Sequence, residues 1–443
     1  MQINYRVIIS LVLSVITINV KAQEADTVYK VFSVENIFDL AIKNSQQLKV
    51  SRSAVEISEQ RAAVAKLQRL PTASAAVTAG YLGDILLIDK DFSNTTNVAM
   101  PHFANTFGVQ ASQLIFKGNA VNNSIDAATL QEQVAMLGFE KNRQNTKLLV
   151  AGHYFDLYGF YLQRDVYNQN IKLAELRLKN INANYHQGMV TRNDVIRTEL
   201  QIANLKLAVV VINNNIAIVN KQLTIITGLP ELTYIMPDTT LLDQIPKTAG
   251  ENLNYYNEQG LLNVPDIKAA ETASKIGEKN LAITKADRLP VLSAYAQNNV
   301  QRPVTSRSPA LDMYSNGWQA GLSLSYNIAS LYTAPKQIKL ARLQVAQLKQ
   351  AEVVERQTAN VAINAAFIKN KQAYVQWQTQ QTNISLATEN YRIIEKKYLN
   401  QLALIIDMLD ATNAKLDAEL QYSNAKINIL YTKYQLYQAA GLL

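Results

Sequence analysis

The chain has 443 residues, 43 basic against 35 acidic side chains, a formal charge of +8 and no cysteine. The missing thiols exclude disulfides, thiolate metal sites and a lipidated cysteine behind an export signal. The excess of base does not point to nucleic acid, because Lys and Arg are scattered among Glu, Asp, Gln and Asn.

Residues 1–22 read as a secretory signal. Arg6 precedes a largely apolar run from Val7 to Val20, and Val20-Lys21-Ala22 places a small residue at the cut site. Beyond it no run approaches the ~20 apolar residues of a membrane helix. The three histidines, His102, His153 and His186, lie far apart and have no carboxylate at metal-ligand spacing. No metal or other cofactor is expected.

The remainder reads twice. Tyr185-His186-Gln187-Gly188 and Asp194 return 213 residues later as Tyr398-Leu399-Asn400-Gln401 and Asp407. Arg69-Leu70-Pro71 returns 219 residues later as Arg288-Leu289-Pro290. A period this long marks a duplicated domain-sized element rather than a solenoid. The expected divisions are a first repeat over 23–229, an inter-repeat segment over 230–265 and a second repeat over 266–443.

Within each repeat, period-2 alternation follows the Arg-Leu-Pro. In the first repeat it predicts strands at 72–83 and 105–116, joined by a loop at 84–104. In the second it predicts strands at 291–301 and 317–328, joined by a loop at 302–317. Trp318, Ala320, Leu322 and Leu324 alternate there with Gln319, Gly321, Ser323 and Ser325. Such strands suit either a soluble sheet with one face on a core or a membrane barrel. The barrel is favoured because little else remains to cover the strands. Four strands cannot close alone, and open edges are not tolerated in lipid. Three copies would supply twelve.

Long helices follow each strand pair. All ten prolines lie outside 102–229 and 336–443, and Ala, Leu, Gln, Lys and Glu dominate both stretches. A 3-4 apolar spacing runs through Ile171, Ala174, Leu178, Ile181 and Tyr185, and again through Ile384, Ala387, Tyr391, Ile394 and Tyr398. Helices over 120–187 and 333–400 would each run ~100 Å, so an elongated chain is expected. The inter-repeat segment holds four prolines and breaks both helical and strand patterns.

The duplicated order of helix, Arg-Leu-Pro, hairpin, long helix, turn and helix resembles the TolC-like outer-membrane efflux proteins. The local match is Tyr185-x-x-Gly188 with Asp194, together with the segment Ser112-Gln113-Leu114-Ile115-Phe116-Lys117-Gly118. The resemblance covers nearly the whole mature chain. It implies a mainly α fold with a small β part: duplicated coiled-coil hairpins form a periplasmic α-barrel, and a homotrimer closes a twelve-stranded β-barrel. It also implies a passive exit duct in the outer membrane of a Gram-negative bacterium. Cargo would arrive from an inner-membrane pump through a periplasmic adaptor protein, and the strands would face outer-membrane lipid. No Gly-rich phosphate loop or catalytic cluster is present in the sequence, so no enzyme is expected. The alternative is a periplasmic coiled-coil structural or adaptor protein without a pore.

Site residues follow from the same resemblance. Asp407 and Asp410 match the family's ring of carboxylates at the periplasmic gate; their alternative is solvated helix surface. Asp194 and Tyr398 match a link between the helix tips, but Ala403 stands at the expected basic position, and Arg192 is a candidate substitute. The tips at Gly188 and Gln401 match the adaptor-docking region. Glycine suits a tight turn there, and Gln401 implies a different turn in the second repeat. The segment 230–265 resembles the belt around the tunnel.

Overall fold

The computed structural model describes residues 28–242, 252–306 and 310–443. The expected signal peptide at 1–22 lies outside these residues. The chain divides into two compact units, one of residues 1–45, 150–245 and 379–427, the other of 46–149, 246–378 and 428–443.

The elements run in chain order β1 (Val28–Phe32), α1 (Val34–Asn44), α2 (Gln46–Lys66), β2 (Thr72–Tyr81), β3 (Ile85–Ile88), β4 (Thr95–Val98), β5 (Phe103–Phe116), α3 (Ala120–His186) and α4 (Arg192–Thr227). The second half continues with β6 (Thr233–Pro237), α5 (Leu253–Asn263), α6 (Pro265–Ala286), β7 (Val291–Arg302), β8 (Ser315–Ser325), α7 (Ser330–Leu399) and α8 (Ile405–Ala439). The four expected strands and two long helices are therefore present, with ends moved by up to three residues. β3 and β4 form a hairpin inside the segment expected to be a loop. The inter-repeat segment, expected to lack pattern, contains β6 and α5.

The duplication extends to caps. Ser33 precedes α1 and Asn252 precedes α5, 219 residues apart, and each side chain accepts an early helix N–H (Asn36 N at 3.2 Å, Asn254 N at 3.3 Å). At the ends of α4 and α8, Gly228 and Gly441 both take the left-handed conformation, at φ +67° and +71°. A Cβ on Gly228 would stand 2.8 Å from the Asn44 side chain, and one on Gly441 would stand 2.7 Å from the Asn263 backbone. Asn44 and Asn263 are themselves 219 residues apart, so each repeat closes the same contact between a short helix and a long helix's end.

In the first unit, β1 and β6 pair in parallel beside α4. The Asn220 amide holds β6 to the helix: it accepts from Ile235 N–H at 2.8 Å and donates to the Thr233 carbonyl at 2.8 Å. Tyr154 is fully buried; its hydroxyl donates to the Phe32 carbonyl and accepts from Asp238 N–H, both at 2.9 Å. Burial pushes its pKa up to about 12.

In the second unit the sheet order is β2-β5-β7-β8, wholly antiparallel. The outer edges of β2 and β8 have no strand beside them among the described residues. A separate core gathers Tyr256, Ile363, Leu436 and Ala440.

By length and mean hydropathy α4 passes as a membrane-spanning helix, against the expectation of none. Its apolar residues fall on two seams instead. Val195, Thr198, Ile202, Leu205, Ile212, Ile216, Val219 and Leu223 are buried at 3-4 spacing, while Leu200, Leu207, Val211, Ile218 and Ile225 form an exposed second stripe.

Candidate functional site

Two regions have the chemistry of a site: the helix turns of the first unit and the faces of the sheet in the second.

The turns are built alike. Gly188 has φ +75° and Gln401 has φ +61°. In each turn, paired N–H groups reach back to the helix end: Gly188 to Tyr185 O and Met189 to Asn184 O at 2.9 Å, against Gln401 to Tyr398 O at 3.0 Å and Leu402 to Lys397 O at 2.8 Å. The expected difference between the turns is therefore not found. Glutamine adopts the glycine conformation because the same hydrogen-bond pattern closes both helices. Left-handed backbone costs an L-residue ~1–2 kcal/mol, while glycine gives back ~0.5–1 kcal/mol through unfolded-chain entropy. Gln401→Gly is expected to stabilise the protein by about 0.5–1 kcal/mol in denaturant unfolding. Gly188→Ala should lose a similar amount, because nothing lies within 4 Å of the added Cβ and only the backbone term acts.

Both expected turn aspartates cap helices. Asp194 Oδ2 accepts from Thr191 N–H at 2.8 Å and Thr191 Oγ1 at 2.9 Å, completing a capping box at the start of α4. Asp407 Oδ2 accepts from Leu404 N–H at 3.0 Å at the start of α8. Asp407 and Asp410 are both exposed.

Tyr398 and Asp194 line one cavity of about 870 Å³ with Ala403, Arg177, Tyr391, Glu395 and Met408. They do not hydrogen-bond; the Tyr398 hydroxyl is buried without a partner. Burial raises the Tyr398 pKa and the Asp194 charge raises it further. Tyr398 packs beside the buried core of Ile181, Val195 and Ile405. Arg192 lies 4.0 Å from Glu199 in an exposed pair and so does not fill the basic position.

Two arginines line this cavity, the exposed Arg197 of α4 and the buried Arg177 of α3, which the sequence did not single out. Arg177 is 9% exposed, and its Nη2 donates to Tyr391 Oη at 3.2 Å. The Tyr391 hydroxyl donates in turn to Glu395 Oε1 at 2.7 Å. Burial, with this bond to Glu395, raises the Tyr391 pKa. Lys415 sits 4.8 Å from the Tyr391 ring centroid and pairs with Glu419 at 3.4 Å, and Asn170 Nδ2 donates to Glu419 at 3.0 Å. The tyrosine is thus clamped between two cations. Among the described residues no His, Asp or Glu cluster could hold a metal.

The sheet has two distinct faces. Register puts Tyr81, Val77 and Ala75 of β2 beside Phe103, Phe107 and Val109 of β5. It continues the same face through Val300, Ala296 and Ala294 of β7 to Trp318, Ala320, Leu322 and Leu324 of β8. Thr, Ser, Gln, Asn and Gly dominate the opposite face. Neither face is covered: every β2 residue is exposed, and Trp318, Leu322 and Leu324 are 79%, 68% and 70% exposed. At one end Arg302 closes the β7–β8 connection through Asp312, with Nε and Nη2 at 2.7 and 3.0 Å.

Residues 258–442 match the model of the outer membrane efflux protein family. No match was found among curated proteins. Solved structures align over 92% of the chain. The outer membrane protein VceC of Vibrio cholerae is 14% identical with a TM-score of 0.74 over 96% of its own chain. The channel protein CusC is 15% identical with a TM-score of 0.77 over 92% of its chain. The MtrE outer membrane channel of Neisseria gonorrhoeae is 18% identical with a TM-score of 0.71 over 89% of its chain. Residues 258–442 are thus similar to the outer membrane efflux protein family, and the fold of the chain is the one shared by these outer-membrane channels.

Proposed function

We infer that this protein is an outer-membrane exit duct, a passive conduit of a tripartite export system reaching into the periplasm. The observation that carries this reading is the four-stranded sheet. It is apolar on one face and polar on the other and, among the described residues, covered on neither face and open at both edges. A soluble sheet would bury its apolar face; a membrane strand offers that face to lipid and its polar face to water. Open edges in lipid leave backbone groups unsatisfied at several kcal/mol each, so the β2 and β8 edges must meet further copies. A homotrimer of twelve strands satisfies them. The second apolar seam supports the same assembly. Besides the stripe on α4, Val354, Val361 and Ile368 of α7 recur every seven residues and are exposed. α4 and α7 thus each carry a seam for a neighbour in a helical barrel.

The turns at Gly188 and Gln401 are the docking tips for the periplasmic adaptor, with an inner-membrane pump beyond it. Asp407 and Asp410 form the gate ring, and the cavity of Asp194, Tyr398 and Arg177 holds the tips. No step of this function is enzymatic. Membrane fractionation and unheated electrophoresis test the assembly: an outer-membrane species near three times the mass of the mature chain is expected. A soluble periplasmic monomer overturns the duct.

For the gate, Asp407→Asn with Asp410→Asn is expected to raise single-channel conductance in planar bilayers and weaken block by divalent cations. Asparagine keeps an oxygen for the Leu404 N–H, so the cap survives while the charge goes. Unchanged conductance and block would remove these residues from the gate.

A further inference from the structure

The polar face of the sheet has one row unlike the others. Ser74 stands opposite Gln110, Gln110 opposite Gln297 and Gln297 opposite Gln319, so a serine and three glutamines cross all four strands at one level. The rows on either side are interrupted by glycine. One reads Thr72, Ser112, Tyr295, Gly321 and the other Ala76, Gly108, Asn299, Gly317. In those rows the large groups lie down over the glycines. A Cβ on Gly321 would meet the Tyr295 ring at 3.2–3.4 Å, and one on Gly108 would meet Asn299 Oδ1 at 2.7 Å. The glutamine row has no glycine to lie over. Gln110 and Gln319 are exposed.

This face is also uncharged. Arg302 is the one charged residue within β2, β5, β7 and β8; it stands at the end of its strand opposite Asn105 and is neutralised by Asp312. A pore lined by this face has no fixed charge with which to sort ions. An amide both donates and accepts, so it can engage neutral polar groups of either sense.

We propose that Gln110, Gln297 and Gln319 form an amide belt that hydrogen-bonds uncharged, hydroxyl- or amide-rich cargo inside the barrel. The stretch of pore around the belt has no charge selectivity of its own. This rests on the trimeric duct inferred above. The binding is weak, because each hydrogen bond exchanged with water gains little. A conduit requires that weakness, since cargo must leave as readily as it enters.

The test uses the native trimer in planar bilayers with maltohexaose, a neutral polyhydroxyl chain, as the probe. Brief partial blockades are expected. Their mean duration should fall roughly fivefold in the combined Gln110→Ala, Gln297→Ala, Gln319→Ala variant, the loss of about one net hydrogen bond. The single variant Gln297→Ala should shorten them to a lesser degree, which keeps the test available if the triple variant assembles poorly. Asn299→Ala, one row away, should leave them unchanged. In a salt gradient the reversal potential of the triple variant should equal that of the native channel. Absence of blockades in native channels, or equal durations in native and Gln297→Ala channels, overturns the belt. A native protein that forms neither trimer nor channel overturns the duct instead, and unheated electrophoresis tells the two failures apart.

Discussion

Ala296→Lys is expected to abolish assembly in the outer membrane, whereas Gln297→Lys, one residue along the same strand, leaves it intact. Ala296 stands opposite Ala111 on β5 and Ala320 on β8, in the middle of the apolar face. A lysine on the lipid face near the bilayer midplane costs ~2–4 kcal/mol per chain. In a three-copy barrel the cost is met three times, ~6–12 kcal/mol, comparable to the whole stability of an ordinary domain. Snorkelling offers little relief. Val291 and Arg302 bound the strand, so its ends lie ~17–20 Å away at ~3.3 Å per residue, beyond the reach of a lysine stem. Gln297 occupies the opposite face, where water solvates the new charge. Heat-modifiable trimer in outer-membrane fractions reads the difference. Equal yields of the two variants would show that the faces do not distinguish lipid from water, and would remove the main support for the barrel.

The two-fold face of the sheet was legible because period-2 alternation is local. Each strand states its own inside and outside, and the pairing of Ser74, Gln110, Gln297 and Gln319 only aligns what each strand already declares. The long helices were legible for a different reason, the absence of proline over more than a hundred residues. Pro335 lies six residues into α7 and shows the limit of that signal. Asn327 starts the helix by accepting from Ala329 N–H at 3.1 Å, and the helix absorbs the one missing N–H.

Other features were hidden. Ile85-Leu86-Leu87-Ile88 has no alternation, so the β3–β4 hairpin looked like loop. β6 depends on the Asn220 amide of a neighbouring helix, a tertiary contact invisible to periodicity. Gln401 takes a backbone conformation its residue type disfavours, and only its position in the repeat hints at it. The capping role of Asp194 could have been read from Thr191-x-x-Asp194, a capping-box spacing. Asp407 lacks the matching hydroxyl, with leucine at 404, and only the offset connects the two aspartates.

Arg177→Met is expected to loosen the helix tips and raise channel conductance more than loss of Asp407 or Asp410 alone, without dissociating the trimer. In sequence Arg177 is one of 43 basic residues. Burial among α3, α4 and the end of α7 gives it weight. The guanidinium holds Tyr391 by hydrogen bond at 3.2 Å and by its ring face at 6.0 Å. It also supplies the positive charge opposing that of Asp194 at Tyr398. Methionine preserves the apolar stem but leaves Glu395 and Asp194 beside a cavity with less compensating charge. Removing one partner of such a buried arrangement costs more than the arrangement contributes as a whole, ~3–5 kcal/mol where burial is complete. Glu395 is half-buried and Asp194 already has its cap bonds, so a loss of ~2 kcal/mol is the better expectation. Arg177→Lys should rescue only in part, because a point charge cannot serve Tyr391 by hydrogen bond and ring contact as a planar fork does. The core of Ile181, Val195 and Ile405 is untouched by either change, so trimer yield should stay at the native level. Single-channel conductance and the accessibility of an introduced Ala403→Cys thiol then report the tips alone. The chain has no other cysteine. If Arg177→Met leaves both readings at native values, the clamp around Tyr391 is packing and not part of the gate.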